Sequence, residues 1–443
     1  MSKQEADFSY HELFFSKTNR KGIIQSGNTV FVRVSEYERE DLLNRPHNII
    51  RHPDTPRAVF KLFWNYLDAN KPIAAYVKNK SKTGRYYWVF AMAFPLEDGF
   101  LSIRLKPSSK YFPIVQALYQ DLTAQETMGL PLDEGITLIE ERLRTLGFAD
   151  YSDFMCRALL EEMSSRDHLL QSAEITEIKS QFQIEALEKF IHDSTMNTQA
   201  ARLTFSKAYQ LFEQTAPLFK DCEEILETCH KVKFVTLNLM VAASRLKEEG
   251  KPLGAVAANL QELTSQIAIS SGHFEDVFKN YSKSVFEMFV AVAISRFQIE
   301  MMNQLAEETS LACQKKEDFD AETERSFQLN CEPIRYLINK NIQSVGEISE
   351  KLNHISKSLL SSIQTLNKVT SGMGVLHVVG KIEMARVGAG ESLSSRLSEM
   401  DTLNSLFKQT LGNLERECKL NIKTCEDLSD KEDEIKSRLL KMS

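Results

Sequence analysis

The sequence predicts two architectures in series: an α+β domain, with an antiparallel sheet and short helices, and then a long all-α region of coiled-coil or four-helix-bundle type. Alternating, aromatic-rich runs such as Tyr86 to Pro95 and Gly99 to Leu105, divided by a Leu96-Glu97-Asp98-Gly99 turn, read as strands. Breakers then become scarce. Between Asp150 and Thr370 stand only four glycines (250, 254, 272, 346) and three prolines (217, 252, 333), so long helices can run through. Heptad spacing in Phe205, Tyr209, Phe212, Ala216, Phe219 and in Leu393, Leu397, Met400, Asn404, Phe407, Leu411, Leu414, Cys418 predicts that those helices pack together.

Taken in order, Leu13 to Ser16 and Gly22 to Gln25 flank a polar Asn19-Arg20-Lys21 turn and predict a hairpin. Ser26-Gly27-Asn28 turns the chain into Val30 to Val34. Short helices over Glu38 to Asn44 and Pro56 to Leu67 follow, the second with Asp54 or Thr55 as N-cap and Pro56 in its first turn. From Val77 to Trp88 two strand-like runs meet at a Lys82-Thr83-Gly84 turn. These elements make a domain over residues 1–110. Residues 111–170 predict a helical connector: Leu122 to Gly129 closes one helix, Asp133 can cap Leu138 to Leu146, and Gly147 to Tyr151 turns into Phe154 to Met163. Residues 171–443 are the long helical part.

Composition narrows the function classes. A hydrophobic content of 42% over 443 residues is that of a folded protein of two or three domains. The longest apolar runs, Met288 to Ile294 and Leu239 to Ala243 among them, fall far short of the roughly 20 residues that cross a bilayer. With a polar Met1-Ser2-Lys3-Gln4-Glu5 start, the expectation is a cytoplasmic protein without a membrane span. The seven cysteines show no Cys-x-x-Cys pair and no zinc-ligand spacing, so no metal is expected. The first 110 residues hold 18 Lys+Arg against 11 Asp+Glu, leaving 36 against 50 for the remainder. A basic front suits an anionic ligand; it lacks the basic runs interleaved with aromatics that a nucleic-acid surface needs.

Four words in the first third resemble, in order, the FAD-binding PAS domain of the aerotaxis-receptor (Aer) family. They are Asn28-x-x-Phe31-Val32-x-Val34-Ser35-x-Tyr37, Pro46-His47-Asn48-x-x-Arg51-His52-Pro53-Asp54-x-Pro56, Val77-Lys78-Asn79-x-x-Lys82-x-Gly84-x-x-Tyr87-Trp88-Val89 and Leu101-Ser102-Ile103-Arg104. The resemblance implies FAD as cofactor and a site at Asn28, Arg51, His52, Asp54, Phe60 and Asn79. Within it, Asn79 would face the isoalloxazine edge, Arg51 would be the phosphate- or adenosine-side cation, and Phe60 a wall. One departure is Pro72-Ile73, where the family commonly has a Pro-Trp step. The residue types fit on their own terms: a flavin needs a flat apolar slot with amide and guanidinium groups at its polar edge, and Asn28, Arg51, His52, Asp54, Phe60, Trp64 and Asn79 are groups of those kinds. Plainer roles stand beside these. Asp54 also serves as a helix cap, Trp64 as a core residue one turn after Phe60, and His47 and His52 as structural or surface histidines.

In the helical part, Thr236 to Ala257 resembles a diverged hairpin tip of the chemoreceptor signalling domain, and Ile382 to Glu391 a second, weaker copy. Tips are thus expected near 245–253 and 386–391. Arg245 and Arg386 hold the same place in the two copies, 141 residues apart, about twenty heptads. That spacing predicts two hairpins in one chain, with legs of about 65 residues and a return bend near Lys315 to Glu324 or at Glu332-Pro333, forming a four-helix bundle within a monomer. The resemblance points to the chemotaxis kinase and its coupling protein, or another helical signalling partner. The tip words have diverged, with Lys231-Val232-Lys233 for a Gln-Thr-Asn word and Ala242 for an acidic residue.

The function expected is a redox, oxygen or energy sensor in which an FAD-bound domain controls a helical signalling rod. The alternative is a non-enzymatic scaffold with an empty or differently liganded front domain. No catalytic set stands out, and His192-Asp193 lacks the Gly-rich nucleotide loop that a phosphoacceptor histidine would need downstream.

Overall fold

The computed structural model describes residues 4–171, 185–244, 251–316, 321–387 and 391–441. Five antiparallel strands form one sheet in the order β2-β1-β5-β4-β3: β1 Phe14–Asn19, β2 Ile24–Gly27, β3 Ile73–Lys80, β4 Tyr86–Pro95 and β5 Gly99–Leu105. Three short helices, α1 Thr29–Ser35, α2 Arg39–Leu42 and α3 Arg57–Asp68, and a 3-10 turn at His47–Ile50 lie between β2 and β3. The Val-rich run after Asn28 is helical against its β propensity because the Asn28 side chain accepts from Phe31 N–H as N-cap. Neither Asp54 nor Thr55 caps α3. Its N-cap is Pro56, and the Glu126 carboxylate accepts from the N–H groups of Arg57 and Ala58, both at 2.8 Å. Gly99 is fixed by contact, since a Cβ there would stand 1.9 Å from the Thr18 carbonyl oxygen.

Strand register assigns the two faces of the sheet. Cross-strand partners share a face, so Ser16, Thr18, Val77, Asn79, Ala91, Ala93, Phe100, Ser102 and Arg104 point to the inner side, toward α1–α3. The outer side is covered by α4 Tyr111–Thr127 and α6 Tyr151–Gln171, with α5 Leu132–Thr145 packed against α3. Tyr76 stacks on Phe112 at 5.9 Å, and Trp88 meets the same ring edge-on at 5.4 Å. Glu162, buried on α6, accepts from Tyr76 Oη (2.7 Å), Ser109 Oγ (2.7 Å) and the N–H groups of Ser108 (2.7 Å) and Ser109 (3.1 Å). Side chains also close the free edge of β3. Tyr151 and Tyr119 donate to the carbonyls of Ala74 and Tyr76, and Thr55 Oγ1 bonds both N–H and C=O of Lys78.

Four long helices follow: α7 Glu185–Ser244, α8 Lys251–Lys316, α9 Ala321–Val387 and α10 Glu391–Lys441. Of the two places named for the return bend, Pro333 lies inside α9, near its start, and residues 317–320, within the other, lie outside the described residues. Residues 245–250 and 388–390, including Arg245 and parts of both expected tips, lie outside the described residues. No described helix is long and apolar enough to cross a membrane.

The chain divides into two compact units. The first comprises Met1–Arg202, Val290–Ile342 and Ile435–Ser443. In it Arg166 of α6 and Arg296 of α8 both pair with buried Glu300, which Arg202 also approaches; Asp167 holds Arg296, and Arg166 donates to the carbonyls of Tyr10 and His11. These cations hold the Glu300 carboxyl well below its ordinary range despite burial. The second unit, Leu203–Phe289 and Gln343–Glu434, packs segments of all four helices by heptads. On α7 the buried positions run Thr204, Ala208, Leu211, Leu218, Cys222, Ile225, Cys229, Val232, Thr236, Leu239, and the positions 141 residues further on in α9 are buried too. Of the expected aromatic seam on α7, the side chains of Ala216 and Phe219 lie outside the described residues, and the other rings sit to one side of this core. Phe205 is buried, but Tyr209 is 37% exposed, and both rings, with Phe212, lean on Phe289 of α8. On α10 the buried seam runs Leu397, Met400, Asn404, Phe407, Leu411, Leu414, Cys418.

Candidate ligand cavity in the sheet domain

A cavity of about 270 Å³ lies between the inner sheet face and the helical layer. Its floor is made of small side chains, Ser16, Thr18, Ala91, Ala93 and Ser102, with Val77 and Phe100 among them. Alternation in β1, β4 and β5 puts these residues in the same phase, so the sheet lies open where larger residues would fill it. The roof comes from one face of α3, Phe60, Phe63, Trp64 and Leu67, spaced by three and four residues. The Trp64 ring sits over Gly22, where positive φ (72°) suits glycine and an added Cβ would meet the indole at 3.2 Å.

Polar groups gather on the rest of the wall. The Arg51 guanidinium lies over the Phe60 ring, 4.3 Å from its centroid, and burial lowers its pKa from the ordinary value. The Asn79 side chain is buried and lines the cavity. Arg104 lies between Phe14 and Phe31 and donates to Ser16 Oγ at 2.9 Å and to His47 Nε2 at 2.8 Å. Because arginine is always a donor, His47 must accept through Nε2 and carry its proton on Nδ1. Burial, reinforced by the Arg104 charge, pushes the His47 pKa down to about 3, and its ring stacks on Phe31 at 6.1 Å. Two buried atoms at this wall, Ser102 Oγ and Arg104 Nη1, have no hydrogen-bond partner among the described residues. A satisfied interior leaves few such groups.

Four of the seven residues read from the sequence meet at this cavity: Arg51, Phe60, Trp64 and Asn79. Three do not. Asn28 lies in the seam between β1, α1 and α8, accepting from Phe15 N–H at 3.1 Å and donating to Leu13 O at 3.1 Å and to Glu308 at 2.6 Å. His52 and Asp54 face a separate groove with Lys78, Tyr86, Trp88 and Tyr119. There Asp54 pairs with Lys78 at 2.6 Å, and His52 Nδ1 accepts from the Asp54 N–H. Ile73 is fully buried in β3 on the inner face and does not line the cavity. Sequence reasoning did not single out Ser16, Ser102 and Arg104 as site residues and gave His47 only a structural or surface role. The available signal was the phase of β5, where Phe100, Ser102 and Arg104 alternate with Leu101, Ile103 and Leu105.

Residues 26–101 match the family model described as PAS fold. With the five-stranded antiparallel sheet and its short helices, this decides the fold. The front of the chain is a PAS domain. The aerotaxis receptor of Escherichia coli (strain K12) is 34% identical over 132 residues, 29% of this chain and 26% of the receptor, so the match spans about a quarter of that relative's length. Among solved structures, the PAS domain of a Colwellia psychrerythraea protein is similar at 17% identity, covering 21% of this chain and 85% of that one (TM-score 0.19). The LOV domain of the blue-light photoreceptor Aureochrome1 is similar at 18% identity, covering 26% and 93% (TM-score 0.22).

Proposed function

We propose that the protein is a redox, oxygen or energy sensor that binds FAD in the PAS cavity and signals through its helices, without catalysing a reaction on a substrate. The observation that carries this reading is the cavity wall: a floor of small residues under an aromatic roof, lined by Asn79 and holding two buried atoms, Ser102 Oγ and Arg104 Nη1, that have no hydrogen-bond partner among the described residues. Such a slot suits a flat ring edged with acceptors and donors. Its size, below the roughly 300–1,000 Å³ of sites that enclose a whole drug-sized ligand, suits the ring system and leaves the phosphates to the rim. When bound, FAD would supply reversible electron uptake. Asn79 would orient the ring edge, Arg104 and Ser102 would donate to it, neutral His47 would hold Arg104 in place, and Arg51 would bind phosphate. Phe60 and Trp64 would exclude water.

Coupling to the helices is supported by Asn28. Its amide ties β1, which supplies Ser16 to the cavity, to Glu308 of α8, and Glu308 also accepts from the Thr29 N–H at 2.8 Å. A shift of β1 would therefore be felt at α8. Full-length protein saturated with FAD and passed through gel filtration tests the reading. Flavin absorbance should travel with the protein, and Arg51→Ala should weaken retention about tenfold or more by losing a charge-assisted contact. A folded but colourless protein that retains no FAD would sink the proposal.

A further inference from the structure

We infer that the junction between the PAS domain and helices α8 and α9 holds a binding site for a small zwitterion, an α-amino acid with an apolar side chain. This goes beyond the sensor reading and holds even for an empty PAS cavity. A groove of about 360 Å³ opens at this junction, all of it within the first compact unit. One wall, with Asn28, Thr29 and Arg39, comes from the turn after β2 and the start of α2; the other, with Leu305, Glu308, Phe327 and Asn330, comes from α8 and α9. Ligand pockets commonly hold roughly 300 Å³ or more, so an amino acid has room.

Three groups in the groove lack what their chemistry asks for. Glu308 is a partly buried carboxylate that accepts from Asn28 Nδ2 at 2.6 Å and from the Thr29 N–H at 2.8 Å. Both donors are neutral, and no Lys, Arg or His forms an ion pair with Glu308 among the described residues. Charges withdrawn from water are ordinarily paired, and burial without a counter-cation raises the pKa of this carboxyl from its ordinary value. Arg39 donates from Nη1 to the Gly27 carbonyl at 3.0 Å and pairs with no carboxylate among the described residues. Asn330 is only 8% exposed, and its Oδ1 has no hydrogen-bond partner among the described residues.

This mismatch selects the ligand. A simple anion is repelled by Glu308 and a simple cation by Arg39. A zwitterion brings an ammonium to Glu308 and Asn330 Oδ1 and a carboxylate to the Arg39 guanidinium. A metal ion is a poorer fit, since no three His, Cys, Asp or Glu side chains gather as metal ligands among the described residues. Leu305 and Phe327 offer the side chain an apolar surface on the same wall. Because Glu308 also holds Asn28, the ligand sits against the tie between the PAS domain and α8.

L-Leucine is the probe, titrated calorimetrically into the full-length protein beside two analogues that each lack one charge: 4-methylpentanoate, without the ammonium, and L-leucinol, without the carboxylate. L-Leucine should bind saturably at one per chain, and each analogue about tenfold more weakly or worse, the loss of a charge-assisted contact. In Glu308→Gln the gap between L-leucine and 4-methylpentanoate should close; in Arg39→Gln the gap between L-leucine and L-leucinol should close. Each variant should leave the other gap open, a crossed pattern that a merely less stable protein does not produce. The inference is overturned if L-leucine does not bind the folded protein, if either analogue binds as tightly, or if both gaps survive both variants. Loss of L-leucine binding in Asn79→Ala would move the site to the PAS cavity and equally overturn it.

Discussion

Acid should loosen the PAS domain through His47. The ring is held neutral, with a pKa near 3 against an ordinary 6.5, because it is buried and accepts from Arg104. The unfolded chain takes up a proton below pH 6.5 that the folded domain refuses, so stability contributed by His47 is complete above that value and is lost as pH falls. At pH 5.5 the loss is about 1.4 kcal/mol relative to pH 7.5, and at pH 4.5 about 2.7 kcal/mol, since each unit corresponds to 1.36 kcal/mol. Both tryptophans, Trp64 and Trp88, lie in this domain, so urea unfolding followed by their fluorescence reports on it alone. Other groups titrate as well, among them Glu162 and Glu308, whose carboxyls burial shifts upward. The readout is therefore the difference between the parent and His47→Phe, which retains the stack on Phe31. Parent stability should fall by about 1.4 kcal/mol more than the variant's between pH 7.5 and 5.5. Equal losses would refute the buried, neutral His47 on which the polar wall is built.

Two further perturbations test the packing around the PAS domain. Glu162→Gln puts an amide donor where a carboxylate oxygen accepts, opposing donors of Tyr76, Ser108 and Ser109, and should cost about 2–4 kcal/mol by the same fluorescence assay. Glu300→Ala leaves Arg166 and Arg296 buried with too few partners and should cost about 3–5 kcal/mol, read from the helical circular-dichroism signal on urea unfolding.

Local rules made much of this legible. The hairpins, the turn at Gly84 and the breaker-poor helices follow from alternation, glycine placement and heptads, each decided within a few residues of sequence. Arg51, Phe60, Trp64 and Asn79 meet at one wall because a polar turn, a helix face and a strand converge there. What stayed hidden depends on distant pairs. The α3 N-terminus is capped by Glu126, 69 residues from Arg57, so a nearby Asp54 was the natural but mistaken choice. Arg104 meets His47 across 57 residues, and Glu162 looks like any helical glutamate until the sheet supplies its donors. The α7 core mixes inconspicuous residues such as Ala208 and Cys222 with Leu211, Leu218 and Ile225, while the more conspicuous Tyr209 and Phe212 lean on Phe289 beside it.

Trp64 offers the most direct test of the flavin cavity, since it forms part of the roof while Trp88 lies on the outer face of the sheet. FAD titrated into full-length Trp88→Phe protein should quench Trp64 fluorescence saturably at one FAD per chain, and Asn79→Ala should weaken the titration. If FAD leaves Trp64 fluorescence unchanged at saturation, or fails to bind the folded protein, the cavity is not a flavin site.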